Sequence, residues 1–169
     1  MIEDILMFSR IESGRIQYMM DDFEASTIIS ELSEEWRDLI PANIEFKSLI
    51  FRKNAIVHND KVRMKYIINQ FMSNAVKFCK SGRILLYCQY HLNDDMIEYS
   101  VIDSGIGMTP DKQKAAFNLF WKDDEFTPGL GLGLSVAQQL ADGMGIRITV
   151  DSKPGHGSKF SVIAKARLE

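Results

Sequence analysis

The chain has no basic excess, few cysteines and no long apolar run, and each shortage removes a class of protein. Lysine and arginine number 20 against 23 aspartate and glutamate, for a net charge of −3. A broad nucleic-acid surface needs the opposite imbalance, so no nucleic-acid partner is expected. The two cysteines, Cys79 and Cys88, fit no metal or redox spacing and read as reduced core thiols. No stretch approaches the ~20 apolar residues of a membrane-spanning helix, and no basic-then-apolar leader opens the chain. The expectation is a soluble segment that makes no membrane contact of its own. What remains is 169 residues, 46% apolar and 25% charged, enough for one packed domain.

Apolar periodicity places helices at residues 2–12, 25–39 and 61–79, with Gly14 and Pro41 closing the first two and Asp60 capping the third. Strand-like runs cover 44–51, 55–58, 83–91 and 96–103, with Asn93-Asp94-Asp95 as a hairpin turn. Thr109-Pro110-Asp111 opens a short helix, and residues 122–128 are polar and irregular. A helix at 132–144 is entered through glycines, and strands at 146–151 and 158–164 flank a Gly/Pro-rich turn. This order predicts an α+β two-layer sandwich. Its mixed, mostly antiparallel sheet has about five strands, covered on one face by about three helices.

Three segments carry chemistry. On the helix over 61–79, Met64, Ile67, Ile68, Phe71, Met72, Ala75 and Cys79 form a core stripe. Gln70, Asn74 and Lys77 share another face at i, i+4 and i+7. A solvated helix face would explain them individually. Together they suit a metal and phosphate site, since an amide oxygen is a hard ligand for Mg²⁺ and an ammonium matches phosphate oxygens. Next, a strand ends at Asp103 in Asp103-Ser104-Gly105-Ile106-Gly107-Met108. A β-turn is the ordinary reading. The functional reading makes the carboxylate an acceptor for a ligand NH₂ such as the adenine amine, approached through the glycines. Third, Gly129-Leu130-Gly131-Leu132-Gly133-Leu134 runs into a helix. Each glycine inside a helix costs ~1 kcal/mol relative to alanine, so propensity does not explain three of them. A phosphate-binding turn at a helix N-terminus does. The spacing matches neither a P-loop nor the dinucleotide fingerprint.

In that order the segments resemble the N box (Asn74-Ala75-Val76-Lys77-Phe78) and the first and second glycine boxes of the histidine-kinase-type (GHKL) ATPases. Phe117-Asn118-Leu119-Phe120 resembles the F box, and residues 152–160 the closing glycine turn. Residues 5–14 resemble the end of the second helix of a dimerisation and phosphoacceptor domain. The resemblance implies residues 1–20 as that helix tail and linker, and 21–169 as an ATP-binding catalytic domain. It implies ATP and Mg²⁺ as cofactors. Asn74 would ligate Mg²⁺, Lys77 would pair with phosphate oxygens, and Asp103 would bind the adenine amine. Gly105, Gly107 and Met108 would shape the base pocket, with Ser158 beside it. Gly129, Leu130, Gly131, Leu132 and Gly133 would pack on the triphosphate, and Lys122 would open a short ATP lid at 122–128.

The implied activity is transfer of the γ-phosphate to a histidine on an adjacent domain, as in a two-component sensor kinase. The implied partners are that phosphoacceptor domain and a response-regulator receiver domain. The implied parent is a homodimer anchored in a membrane, with this cytoplasmic fragment a monomer or weak dimer. Two departures bear on activity: Gln70 stands where most of the family has asparagine or glutamate, and Leu130 replaces a common threonine. A hydrolytic ATPase would want a glutamate base at position 70. The three histidines, His58, His91 and His156, fall on strands and a turn, so the fragment is not expected to phosphorylate itself. A degenerate nucleotide-binding or interaction module without kinase activity is the alternative. A serine kinase of the anti-sigma type shares the boxes but not the segment at 9–14.

Overall fold

The computed structural model describes residues 2–52 and 54–169. Helix α1 (Ile2–Glu12) is followed by a linker and strand β1 (Asp21–Glu24). Then come α2 (Ser26–Arg37), β2 (Ile44–Phe51), β3 (Ala55–Asn59) and the long α3 (Lys61–Phe78). The second half runs β4 (Gly82–His91), β5 (Met96–Asp103), α4 (Pro110–Ala115), α5 (Gly133–Met144), β6 (Arg147–Lys153), β7 (Gly157–Lys165) and β8 (Arg167–Leu168).

The main sheet has five strands in the order β2-β4-β5-β7-β6. Only the β2–β4 pair is parallel, with Ile44 opposite Gly82. The expected mixed, mostly antiparallel sheet is therefore present, with α2, α3 and α5 packed on one face. A smaller sheet, β1-β3-β8, was not foreseen. Its outer strands are short and polar, and the strand state of each comes from its pairing with β3.

Helix α3 shows how the sequence builds the core. Asp60 lies in an extended conformation and its carboxylate accepts the Arg63 backbone N–H at 3.0 Å, which caps the helix. Met64, Ile67, Ile68, Phe71, Met72 and Ala75 are buried against the sheet. Phe71 stacks on Phe160 of β7 with centroids 5.4 Å apart. Truncating such a side chain to alanine costs about 3–5 kcal/mol. The helix stops at Cys79, whose backbone is extended. Cys79 and Cys88 are free and buried, and burial pushes the Cys88 thiol up to about 12. Among the described residues no helix is long and apolar enough to cross a membrane.

Candidate functional site

Because α3 turns its apolar stripe to the sheet, the face bearing Gln70, Asn74 and Lys77 is left toward α5 and the loop that precedes it. All three line one cavity of about 520 Å³. That volume falls in the roughly 300–1,000 Å³ range of small-molecule sites. The lining also holds Asp103, the last residue of β5, only 6% exposed. The rest of the lining includes Gly107, Met108, Lys122, residues 129–133 and Ser158.

Asp103 is held by its own loop. The Gly105 backbone N–H donates to Oδ1 at 2.8 Å, and the Ser158 backbone N–H bonds the carboxylate from the neighbouring strand. Burial nevertheless dominates and raises the carboxyl above its usual range. Gly105 itself is not among the lining residues. Its place is structural, supplying that N–H beneath the pocket. Gly107 has φ +65°, and a Cβ there would stand 2.0 Å from the Lys153 carbonyl oxygen. The Met108 backbone N–H donates to Ser152 Oγ at 2.8 Å, which ties this loop to the β6–β7 hairpin.

Two lysines of the lining lie near one another. Lys77 is half-buried, and burial first, then the nearby Lys122, lowers its pKa. Two ammonium groups converging in a cavity favour an anion between them. Helix α5 begins here at Gly133, after Leu132, and no side chain caps its first turn. Its free N–H groups and dipole add to the positive field. Gly131 has φ +71°, and a Cβ would meet the Trp121 carbonyl oxygen at 2.5 Å. Its own carbonyl accepts the Phe120 N–H at 2.9 Å, which ties the segment after α4 to the turn.

Among the described residues no group of three or more histidine, cysteine, aspartate or glutamate side chains stands ready to hold a metal. The donor set fits an ion that takes most of its ligands from phosphate and water, as Mg²⁺ does, with the Asn74 amide as a protein donor. The sequence reading missed Asp4, Trp36 and Trp121, which also line the cavity. Asp4 lies 66 positions from Gln70, and no local pattern joins them. The histidines lie elsewhere: His58 Nδ1 is 2.8 Å from Asp22, His91 Nε2 is 2.9 Å from Glu98, and His156 sits in the β6–β7 turn.

The family described as histidine kinase-, DNA gyrase B- and HSP90-like ATPases matches residues 59–168. The sensor histidine kinase GacS of Pseudomonas protegens is 32% identical over 171 residues, taking in 94% of this chain and 18% of that protein. Hybrid signal transduction histidine kinase B of Dictyostelium discoideum is 34% identical over 174 residues, 95% of this chain and 9% of that one. The chain thus spans a small part of the length of these curated relatives. The crystal structure of full-length ShkA in complex with AMPPNP matches 99% of this chain and 35% of its own, with TM-score 0.87 and 25% identity. The catalytic domain of histidine kinase ThkA, at 21% identity and TM-score 0.76, shares the fold over 87% of this chain and 95% of its own. The order of the boxes, the cavity they enclose and the match over residues 59–168 place this chain in the histidine kinase-, DNA gyrase B- and HSP90-like ATPase family, as an ATP-binding catalytic domain of the sensor histidine kinase kind.

Proposed function

We propose that this domain binds Mg·ATP and passes the γ-phosphate to a histidine on an adjacent phosphoacceptor domain, from which it moves to a receiver domain. The observation that carries the reading is the polarity of the cavity. It gathers the buried Asp103 carboxylate, two neighbouring lysines and an uncapped helix N-terminus in one lining. Asp103 accepts the adenine amine. Lys77, Lys122 and the turn at 129–133 hold the phosphates, and Asn74 contributes its amide oxygen to the metal. Bound Mg²⁺ would neutralise charge developing between the β- and γ-phosphates.

Gln70 suits a histidine acceptor. A neutral imidazole attacks phosphorus with a lone pair it already has, so no base is needed before the bond forms. Attack by water or a serine hydroxyl gains from a base that an amide does not supply. The P–O bond to the β-phosphate breaks, a P–N bond forms, and ADP leaves with the electron pair. Residues 1–20 act as the tail of a dimerisation helix and its linker, and 21–169 as the catalytic unit. The parent is a homodimer whose membrane anchor, like the cognate phosphoacceptor, lies in other segments.

Calorimetry with ATP and Mg²⁺, followed by transfer to a separately made phosphoacceptor domain, tests this. Binding and labelling of the acceptor histidine are expected, without stoichiometric labelling of this chain alone. Failure to bind ATP, or binding with no transfer to any histidine domain, overturns it.

A further inference from the structure

Helix α1 reaches into the cavity through Asp4. Tyr66 Oη donates to Asp4 Oδ1 at 2.6 Å, and Gln70 Nε2 donates to the same oxygen at 3.3 Å. A carboxylate offers only acceptors, so the Gln70 amide must turn its NH₂ toward α1. Its oxygen then faces the other way. An ideal Cβ on Gly133 would lie 2.3 Å from Gln70 Oε1, so that oxygen rests against the first residue of α5. The amide thus bridges α1 and the phosphate-binding turn.

Asp4 is held in place by its surroundings. Met7, Phe8 and Ile11 of α1 pack on the core, and the Phe8 ring meets Phe120 edge-on at 6.4 Å. The linker that follows is pinned as well. The Met19 backbone N–H donates to Asp60 Oδ2 at 2.9 Å, and the Arg63 guanidinium lies over the Tyr18 ring at 5.5 Å.

We propose that Asp4 is a positioning residue of the nucleotide site: by accepting the Gln70 NH₂ it fixes the sense of that amide and presents Oε1 to the glycine turn that opens α5. There the oxygen is a hard donor for Mg²⁺ or for a water bound to it. This rests on the nucleotide function proposed above. It makes the metal-dependent part of nucleotide affinity depend on a docked α1. By linkage, Mg·nucleotide holds α1 in place by the same factor.

The test is calorimetry of the whole chain with AMPPNP, in Mg²⁺ and in EDTA. Wild type is compared with Asp4→Asn, Asp4→Ala, Gln70→Ala and the Asp4→Ala/Gln70→Ala double variant, with thermal melts to show that each folds. In Asp4→Ala the gain in affinity on adding Mg²⁺ should shrink about tenfold, the usual size of an effect acting through a ligand's hydrogen-bond partner. Affinity in EDTA should not fall, since loss of the Asp4 charge removes a repulsion on the bare triphosphate. Asp4→Asn, which can donate or accept, should fall between, and the double variant should be no weaker than Gln70→Ala alone. An unchanged Mg²⁺ gain in Asp4→Ala overturns the proposal. So does an equal loss with and without metal, or additive losses in the double variant. If wild type binds AMPPNP equally with and without Mg²⁺, only this inference fails. If it binds under neither condition, the nucleotide reading itself fails.

Discussion

The Gly105 backbone N–H donates to Asp103 Oδ1 at 2.8 Å, yet the carboxyl it steadies is still raised above its ordinary range by burial. A carboxyl whose folded pKa is raised opposes folding when ionised, and the penalty lifts as pH falls. Asp103→Asn keeps an oxygen for Gly105 and removes the buried charge. Whatever it loses at the Ser158 N–H, its stability relative to wild type should be greatest near neutrality and decline toward the ordinary carboxylate range, because only the wild type carries the buried charge. Its NH₂ would face the adenine amine donor to donor, so ATP affinity should fall by about 2–3 kcal/mol, roughly 30–150-fold. Melting curves across pH together with calorimetry check both halves.

Lys77 should take up a proton when nucleotide binds. Burial and Lys122 depress its pKa in the free chain, and phosphate oxygens would restore it. ATP affinity should decline as pH rises through the lowered value. Titrations on the alkaline side of neutrality, in buffers of different ionisation enthalpy, should show net proton uptake in wild type and none from this group in Lys77→Met. Equal uptake in both sinks the assignment.

Two glycines should respond oppositely to alanine. At Gly107 the added methyl meets the Lys153 backbone oxygen at 2.0 Å with φ at +65°, so Gly107→Ala should destabilise the fold by about 2 kcal/mol or more. At Gly133 the nearest atoms to the methyl belong to the amide end of Gln70, which can rotate away by giving up its bond to Asp4. Gly133→Ala should fold as well as wild type but bind Mg·ATP at least about tenfold more weakly. Urea melts beside nucleotide titrations separate the two effects.

On the far face of the sheet, Glu98 is only 12% exposed. It accepts hydrogen bonds from Tyr87, Ser100 and Ser161, and pairs with His91 and Lys159. Burial alone would raise this carboxyl, but the bonds from Lys159, Ser100 and His91 outweigh it and hold it at about 2. A depressed folded pKa stabilises the protein above the unfolded value of 4.5, and that contribution is lost as pH falls from there toward about 2. Glu98→Gln should lower stability at pH 7 by about 1–2 kcal/mol after solvent screening, with the difference shrinking steadily as pH falls from 4.5 toward about 2. Urea denaturation at several pH values reads this directly.

Strands 44–51 and 96–103 were readable at the bounds found, because alternation and flanking turn residues mark both ends. Helix α1 matches its expected bounds, while α2, α3 and α5 are one to three residues shorter than their sequence pattern, since fraying ends carry no pattern of their own. Strands β1 and β8 were invisible. Asp21–Glu24 offers one apolar side chain and Arg167–Leu168 is two residues long, so only pairing with β3 makes them strands.

The sequence by itself determined which residue types face the cavity, because each box is local. Helical spacing puts Gln70, Asn74 and Lys77 on one face, Asp103 ends a strand, and glycines open α5. Only the tertiary structure decided how these pieces act on one another. It buried Asp103, set Lys122 beside Lys77, and brought Asp4 across 66 positions to the Gln70 amide. Those effects depend on distance and desolvation between segments far apart in the chain, which no local pattern encodes.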